Sequence, residues 1–503
     1  MKGWAWAAVV AVGSMGLVAG AVADDPPAPK RPNIVFILAD DWGWGDLGCY
    51  GNNRIRTPNL DRLAAQGTLF TQYYQCGSVC SPSRTTLMTG KYPARFAMHG
   101  HLAAHDLNRR RGMPNWLDPE ATTLPKLLRA AGYATGHVGK WHLGNGPGAP
   151  LPDRYGFDSA KVAVAGPTTD WELSAPELRP KSTELIVDET IKFIEDHKDG
   201  PFYVQAWLMD THAILMPTPE QMAAYPNMQP KGLPFTSPLH VYAAAATDAD
   251  RHIGRLLAKL GELGLGENTY VVFSSDNGPE AMEIGNATHS GVGSAGPLRG
   301  RKRSLYDGGI RVPLIVRGPG VPAGRASDAV IAGCDFLPTI CALTDVNVPA
   351  SYEGDGEDRS RCLTGEPAAR TRLLFWEWRF NVAGHPWNRS PILAVRDGDW
   401  KLLLNPDRSR VELYDMAADP GESDNRADTH GEVVERMATA ALEWQKTLPA
   451  GPIEPSAGSN AYPKPNAIPA ARPDAGAARK KQAEARPKSA PATTTKTKGE
   501  PRP

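Results

Sequence analysis

The segment Cys80-Ser81-Pro82-Ser83-Arg84-Thr85-Thr86-Leu87-Met88-Thr89-Gly90 sets a small nucleophile beside Pro, Ser and Arg at the start of an expected helix. A helix N-terminus attracts anions and favours a thiolate. Read without context, it is also compatible with a buried cysteine before an ordinary helix. Two further groups bear on chemistry. Asp40-Asp41 closes the apolar run Asn33–Ala39, and Asp276-Asn277-Gly278 closes Tyr270–Phe273 and two serines. Adjacent residues in a strand point to opposite faces, so paired carboxylates converge only where the chain leaves the strand. Three carboxylates and one amide oxygen meeting there make a hard, all-oxygen site. It suits calcium, with magnesium the less favoured ion. Asp and Asn also close turns by habit, and either pair alone is read that way. Both together, each ending a buried strand, point to a site.

The elements that must hold these residues follow from periodicity. Asn33–Ala39 is apolar on both faces, as in a helix-covered sheet, and Phe202–Leu208, Tyr270–Phe273 and Val312–Val316 resemble it. Helices are expected between them. One is capped by Ser182 or Thr183, with Ile186, Thr190, Ile191 and Ile194 on one face. Another spans 240–263, with Ile253, Leu256, Leu257 and Leu260 inward. Strands alternating with helices indicate an α/β sheet, and sites in such sheets lie beyond the carboxyl ends of strands. After residue 365 the texture changes. Short strands are expected at 393–395, 400–404 and 413–414, followed by a helix at 431–445. The expected organisation is a signal peptide over 1–23, a linker over 24–32, a catalytic domain over 33–365, a small C-terminal α+β unit over 366–450 and a disordered Pro/Ala/Lys-rich tail over 451–503.

The segment Cys80 to Gly90 resembles the signature of the formylglycine-dependent (type I) sulfatases, within the alkaline phosphatase superfamily. Other motifs resemble that family in order: Gly139-Lys140-Trp141-His142-Leu143-Gly144, Asp210-Thr211-His212-Ala213, Leu298-Arg299-Gly300-Arg301-Lys302 and Gly308-Gly309-Ile310-Arg311-Val312-Pro313. The resemblance extends over about residues 31–425, as far as Leu413-Tyr414-Asp415-Met416 and Asp419-Pro420-Gly421-Glu422. The contexts are similar to N-acetylgalactosamine-6-sulfatase-type enzymes. One departure is that the proline common soon after the histidine corresponding to His212 is delayed here to Pro217.

The resemblance implies an alkaline-phosphatase-like mixed, largely parallel sheet sandwiched by helices, with a small C-terminal antiparallel sheet plus helix. It implies that Cys80 is oxidised to formylglycine, whose hydrate supplies the attacking hydroxyl. Asp40, Asp41, Cys80, Asp276 and Asn277 would surround Ca2+. Calcium, Lys140, Lys302 and Arg84 would bind sulfate oxygens, His212 together with Lys302 would protonate the leaving oxygen, and His142 would then take the proton of the hydrate's second hydroxyl as sulfate is expelled. The implied partners are a sulfated saccharide, with galactose or N-acetylgalactosamine sulfate leading, and a formylglycine-generating or anaerobic maturation enzyme. The same motifs leave room for a phosphate or phosphonate monoester hydrolase, or for a non-catalytic sulfated-glycan binding protein. Catalytic residues read only the sulfate, so the sugar must be read elsewhere. His101, His105, His289 and Trp387 lie in polar or aromatic segments suited to that.

Lys+Arg and Asp+Glu are equal at 55 each, so bulk charge favours no nucleic-acid partner. The start pairs Lys2 with an apolar run from Trp4 to Val22 and ends in Ala21-Val22-Ala23. That reads as a cleaved secretory signal, with a periplasmic or secreted protein and no stable membrane insertion afterwards. A retained anchor is the alternative reading of the same run. Six cysteines at 49, 76, 80, 334, 341 and 362 are too sparse for a disulfide framework.

Overall fold

The computed structural model describes residues 1–4, 7–8, 31–168, 171–228, 236–284, 287 and 289–459. Most of the expected signal peptide and linker, and the expected tail beyond 459, lie outside the described residues. Among those described, no helix is long and apolar enough to cross a membrane.

The larger sheet comprises β1 (Asn33–Ala39), β2 (Thr68–Tyr74), β3 (Ala134–Lys140), β4 (Ser159–Ala163), β5 (Phe202–Trp207), β6 (Thr269–Ser275), β7 (Arg311–Arg317), β8 (Arg325–Ser327) and β9 (Ile331–Ala332). Its order is β4-β3-β5-β1-β6-β7-β2-β8, with β9 also on β2. Only β7 runs against its neighbours β6 and β2. This is the mixed, largely parallel sheet expected. Ile34 of the central β1 pairs with Tyr203 on one side and Tyr270 on the other.

Alternation along β1 shows why every position from Ile34 to Ala39 is apolar. Val35, Ile37 and Ala39 enter one core with Ile186, Val187 and Ile194 of the helix Ser182–His197 and Ile253, Leu256 and Leu260 of the helix Pro238–Glu262. Ile34, Phe36 and Leu38 enter the opposite core with Leu87 and Met88 of the helix Cys80–Thr89 and Leu337 and Ile340 of the helix Phe336–Leu343. Each fully buried aliphatic side chain contributes about 1.5–3 kcal/mol; the one polar position, Asn33 at the strand's start, is accommodated by bonds to Thr269 Oγ1 and from Phe202 N. Strands β2, β3 and β4 escape the same reading. Their sequences, such as Ala-Thr-Gly-His-Val-Gly-Lys in β3, place Gly, His, Gln or Lys where an apolar run would signal them. In β3, His137 is buried with Nδ1 2.8 Å from Gln205 Oε1, and neighbouring strand contacts hold the rest.

A second, antiparallel sheet runs β10 (Leu374–Glu377), β11 (Leu393–Asp397), β12 (Trp400–Leu404) and β13 (Val411–Asp415) in that order. The helix Gly431–Lys446 covers it with Met437, Ala438, Ala441 and Trp444. The first residues of the expected tail, 451–459, are among those described. Residues 451–459 pack on this unit: Glu454 N donates to Arg379 O at 2.8 Å, Asn381 N to Glu454 Oε2 at 2.6 Å and Asn405 Nδ2 to Gly458 O at 3.2 Å. Backbone pairing and one carboxylate do there what large side chains would otherwise do.

The two sheets are joined by buried charge. Lys401 Nζ of β12 lies 2.7 Å from Asp307 Oδ1, 2.8 Å from Glu422 Oε1 and 2.8 Å from Leu305 O. Burial pushes Glu422 up to about 7, while Lys401, Arg311 and Arg396 overcome burial to hold Asp307 at about 2. Removing the cation would strand two carboxylates out of water. Lys401→Ala should therefore lower stability by about 3–5 kcal/mol in urea denaturation. A loss under 1 kcal/mol would show that the junction does not depend on this ion cluster.

Candidate active site

One edge of the large sheet collects all the singled-out groups. The parallel strands β1, β3, β5 and β6 end there, and the reversed β7 begins there. Beyond β1 come Asp40 and Asp41, beyond β6 Asp276 and Asn277, beyond β3 His142, beyond β5 His212, and ahead of β7 Lys302. Asp41 takes φ +65, a left-handed turn that Asp tolerates and that lets two neighbouring carboxylates face one place. The Asp276-Asn277-Gly278 turn packs closely on Gly308-Gly309. Gly278 N donates to Gly309 O at 3.0 Å, and a Cβ on Gly278 would stand 1.9 Å from Gly308 O. Only glycine fits, which gives the two glycine-bearing motifs a shared purpose.

The three carboxylates are wholly buried, and each faces cations. Asp40 is ion-paired with Lys140. Asp41 Oδ1 and Oδ2 lie 2.6 and 2.9 Å from Lys302 Nζ, and Asp276 Oδ2 lies 2.8 Å from Arg84 Nη2 and 3.2 Å from its Nε. Burial alone would raise Asp40, but Lys140, His212, Arg84 and Lys302 hold it well below the usual carboxylate range. Burial and the Asp40 charge push Asp276 up to about 6. Lys302 is raised, with Asp41 overcoming burial. Arg84 Nη1 also donates to Lys140 O at 2.9 Å, so its donors serve the protein's own groups.

Oxygen or sulfur atoms of Asp40, Asp41, Cys80 and Asp276 lie within 4.8 Å of one another. Asn277 Nδ2 donates to Asp41 Oδ1 at 2.7 Å and to Gly278 O at 2.9 Å, which fixes the amide orientation. Its Oδ1 is buried and has no hydrogen-bond partner. An orphaned amide oxygen beside three carboxylates is what a hard cation's ligand set leaves when written as protein atoms alone. The residues fit calcium.

Cys80 opens its helix with Sγ 3.6 Å from Asp40 Oδ1 and 3.4 Å from Lys140 Nζ. Burial, followed by the Asp276 charge, pushes its thiol up to about 12. His142 Nε2 faces Leu102 O at 3.0 Å. A carbonyl only accepts, so that nitrogen carries hydrogen, and the buried Nδ1 is left as an acceptor without a partner. His212 Nδ1 likewise faces Ala213 O at 2.7 Å, leaving Nε2 as the exchangeable atom, 3.9 Å from Asp41 Oδ2. Burial, with Lys140 and Lys302, pushes His212 down to about 4.

The sulfatase profile matches residues 32–346, well over half of the chain. The chain belongs to the sulfatase family. It is accordingly a sulfuric ester hydrolase. A second profile, described as the C-terminal part of N-sulphoglucosamine sulphohydrolase, matches residues 300–446 of this sulfatase. Arylsulfatase A of Bos taurus is 31% identical over 490 residues, covering 86% of this chain and 89% of its own. N-acetylgalactosamine-6-sulfatase of Rattus norvegicus is 34% identical, covering 80% and 77%. N-acetylgalactosamine-6-O-sulfatase of Bacteroides thetaiotaomicron is 28% identical, covering 84% and 95%. Among solved structures, Ps i-CgsB in complex with k-i-k-neocarrahexaose superposes with a TM-score of 0.70 at 26% identity, covering 86% of this chain and 97% of that one.

The structure divides the four residues expected to read the sugar. His101 sits beside the cluster, its ring centroid 6.4 Å from that of His142. Burial, then Arg111, Lys302, Arg303 and Lys140, push it down to about 3. His105 lies further out, with Nε2 2.8 Å from Asn145 O, on a 650 Å³ pocket that also borders Val164–Gly166 and Trp171. Trp387 lines a different pocket, and no residue of the catalytic cluster borders either one. His289 precedes the Ser290–Val292 turn, with Nδ1 buried and without a partner.

Two positioning residues escaped the sequence reading. Glu280, four residues after Asp276, lies 3.7 Å from Lys302 Nζ and pairs with Arg303. Arg179, buried in an unremarkable Leu-Arg-Pro, holds the whole His212 loop. It donates to Met209 O at 3.0 Å, Asp210 Oδ1 at 2.9 Å, His212 O at 2.7 Å and Ile214 O at 3.0 Å. Losing these four bonds to the loop, one of them to the Asp210 carboxylate, and a fifth to Ser182 Oγ should make Arg179→Ala cost about 2–4 kcal/mol. Hydrogen exchange should quicken first over 209–214. Unchanged protection of that loop would contradict the role given to Arg179.

Proposed function

We propose that this sulfatase hydrolyses sulfate esters on a sulfated glycan, with formylglycine at position 80 and calcium held by Asp40, Asp41, Asp276 and Asn277. The observation that carries the reading is the placement of Cys80 Sγ between Asp40 and Lys140, in one cluster with Asp41 and Asp276, to which Asn277 is tied through Asp41. The oxidised residue supplies an aldehyde hydrate as nucleophile, and the ion supplies positive charge for sulfate oxygens. This chain's own residues do the rest. Lys140 and Lys302 place ammonium groups on either side of the carboxylates, where they also offset the ester's negative charge. Arg84 keeps Asp276 oriented. His212, when protonated on Nε2 beside the bound ester's negative charge, would deliver that proton to the leaving oxygen, and His142 Nδ1 would accept the proton of the hydrate's second hydroxyl as sulfate is expelled. The sugar assignment rests on relatives named for N-acetylgalactosamine-6-sulfate chemistry and on a neighbour holding a neocarrahexaose. A galactose or N-acetylgalactosamine sulfate leads. Export, a cleaved signal and a maturation enzyme belong to the same proposal.

Mass spectrometry of the Cys80 peptide should show the thiol-to-aldehyde conversion in active preparations, and Cys80→Ala should release no sulfate from any saccharide tested. Near wild-type turnover by Cys80→Ala would end the formylglycine reading. Calcium binding should be visible without turnover. At about a hundredfold excess over Kd, calcium should stabilise the fold by about 2.7 kcal/mol, and Asn277→Leu should remove most of that gain. A melting temperature unmoved by calcium or chelator in the wild type would remove the ion from the site.

A further inference from the structure

A second pocket of 370 Å³ borders Asp46, Arg54, Gly293–Gly296, Leu298–Arg301 and Trp387. It shares one segment with the catalytic centre: the residue after Arg301 is Lys302, which reaches Asp41. Its walls have three features that a bare surface groove lacks.

Trp387 is an anchored platform. It is 49% exposed, yet Arg299 Cζ lies 4.0 Å from its ring centroid and 3.6 Å from that of the buried Tyr306. Arg299 also donates to Trp387 O at 2.9 Å and to Tyr414 OH at 3.0 Å. The aromatic ring is thus fixed by a buried stack while about half of it faces water, the arrangement used where one apolar face must meet a ligand. The charge is lopsided as well. Arginines 54, 299 and 301 border the pocket against the single carboxylate of Asp46. That carboxylate is spent on Gly43 N at 2.7 Å, Ser294 N at 2.8 Å and Tyr242 OH at 2.7 Å. Arg301 donates to the carbonyls of Glu280, Gly291 and Gly293. Arg54 is exposed and has no acidic partner among the described residues. A ligand that suits these walls has a flat, weakly apolar face and an anionic substituent.

We propose that this pocket binds a second sulfated residue of the saccharide chain, with Trp387 stacking on its ring and Arg54 pairing with its sulfate. The proposal rests on the sulfated-glycan reading above. It makes the enzyme bivalent toward a polymer, since one residue held here raises the local concentration of others at the catalytic centre.

Affinity electrophoresis through gels holding a sulfated galactan, or the same galactan chemically desulfated, tests it without turnover. The wild type should be retarded by the sulfated polymer alone. Trp387→Ala and Arg54→Ala should each weaken that retention by about tenfold, the effect of losing one well-placed contact. Trp387→Phe and Arg54→Lys should recover most of it, which separates recognition from misfolding. With matured enzyme, the ratio of kcat/KM on the polymer to kcat/KM on an aryl sulfate should fall in the two alanine variants. Unaltered retention in both of them, no retention of the wild type, or equal retention by the desulfated polymer would overturn the proposal. Wild type that binds the polymer through these residues but releases no sulfate from any glycan would keep the pocket and remove the glycan-substrate reading instead.

Discussion

Three carboxylates buried side by side must be neutralised, and the active edge is built around that requirement. Asp40, Asp41 and Asp276 are completely removed from water. An unpaired buried carboxylate costs several kcal/mol even after relaxation. The protein alone meets the demand with Lys140, Lys302 and Arg84. Three cations against three anions leave the cluster balanced without substrate. A dianionic or trianionic ligand set without these bases would resist both folding and an incoming sulfate. Under the proposed reading the lysines would have two partners: the carboxylates that position them and the ester oxygens of the substrate.

That balance ties distant parts of the chain to one another. Lys302 is useful only if its segment stays fixed, and both flanks of the segment are pinned. On one side Glu280 holds Lys302 and Arg303. On the other, Leu305 and Asp307 are gripped by Lys401 of the second sheet. The small antiparallel sheet is thus part of the catalytic scaffold. Its Tyr414, Glu412 and Glu422 reach back to Arg299, Tyr306 and Asp307. A chain truncated before this sheet would leave the Lys302 segment without its outer wall.

Much of this was legible because it follows local rules. Asp40-Asp41 and Asp276-Asn277 could be paired across 235 residues because each closes an apolar strand, and parallel strands deliver such ends to one edge. The helices 182–197 and 238–262 announced themselves by periodicity. Strand β3 did not, since Gly136 and Gly139 exist to admit Phe193 and the Trp207 carbonyl rather than to fill a core. Arg179 and Glu280 were silent for a related reason. Their importance lies in which backbone carbonyls or ammonium groups face them, and no spacing encodes that. Trp387 was chosen for its type, but its position beside Arg299 depends on how the two sheets meet.

Under the proposed reading, sulfate chemistry and sugar recognition would be separated for a physical reason. A buried, charge-balanced cluster has only cationic donors to offer: Arg84 is bonded to Asp276 and Lys140 O, and the lysine ammoniums sit on carboxylates. It can recognise a tetrahedral anion but has little left with which to distinguish hydroxyl patterns. Discrimination falls to groups not tied into the cluster. His101 is near enough to sense what enters, and burial beside Lys302 and Lys140 keeps it neutral, so it offers one donor and one acceptor rather than a charge. A neutral imidazole reads hydroxyls without disturbing the ion balance beneath it. Arg299 is held differently: its guanidinium lies 3.6 Å from the Tyr306 ring centroid and 4.0 Å from that of Trp387, with Glu412 3.9 Å away.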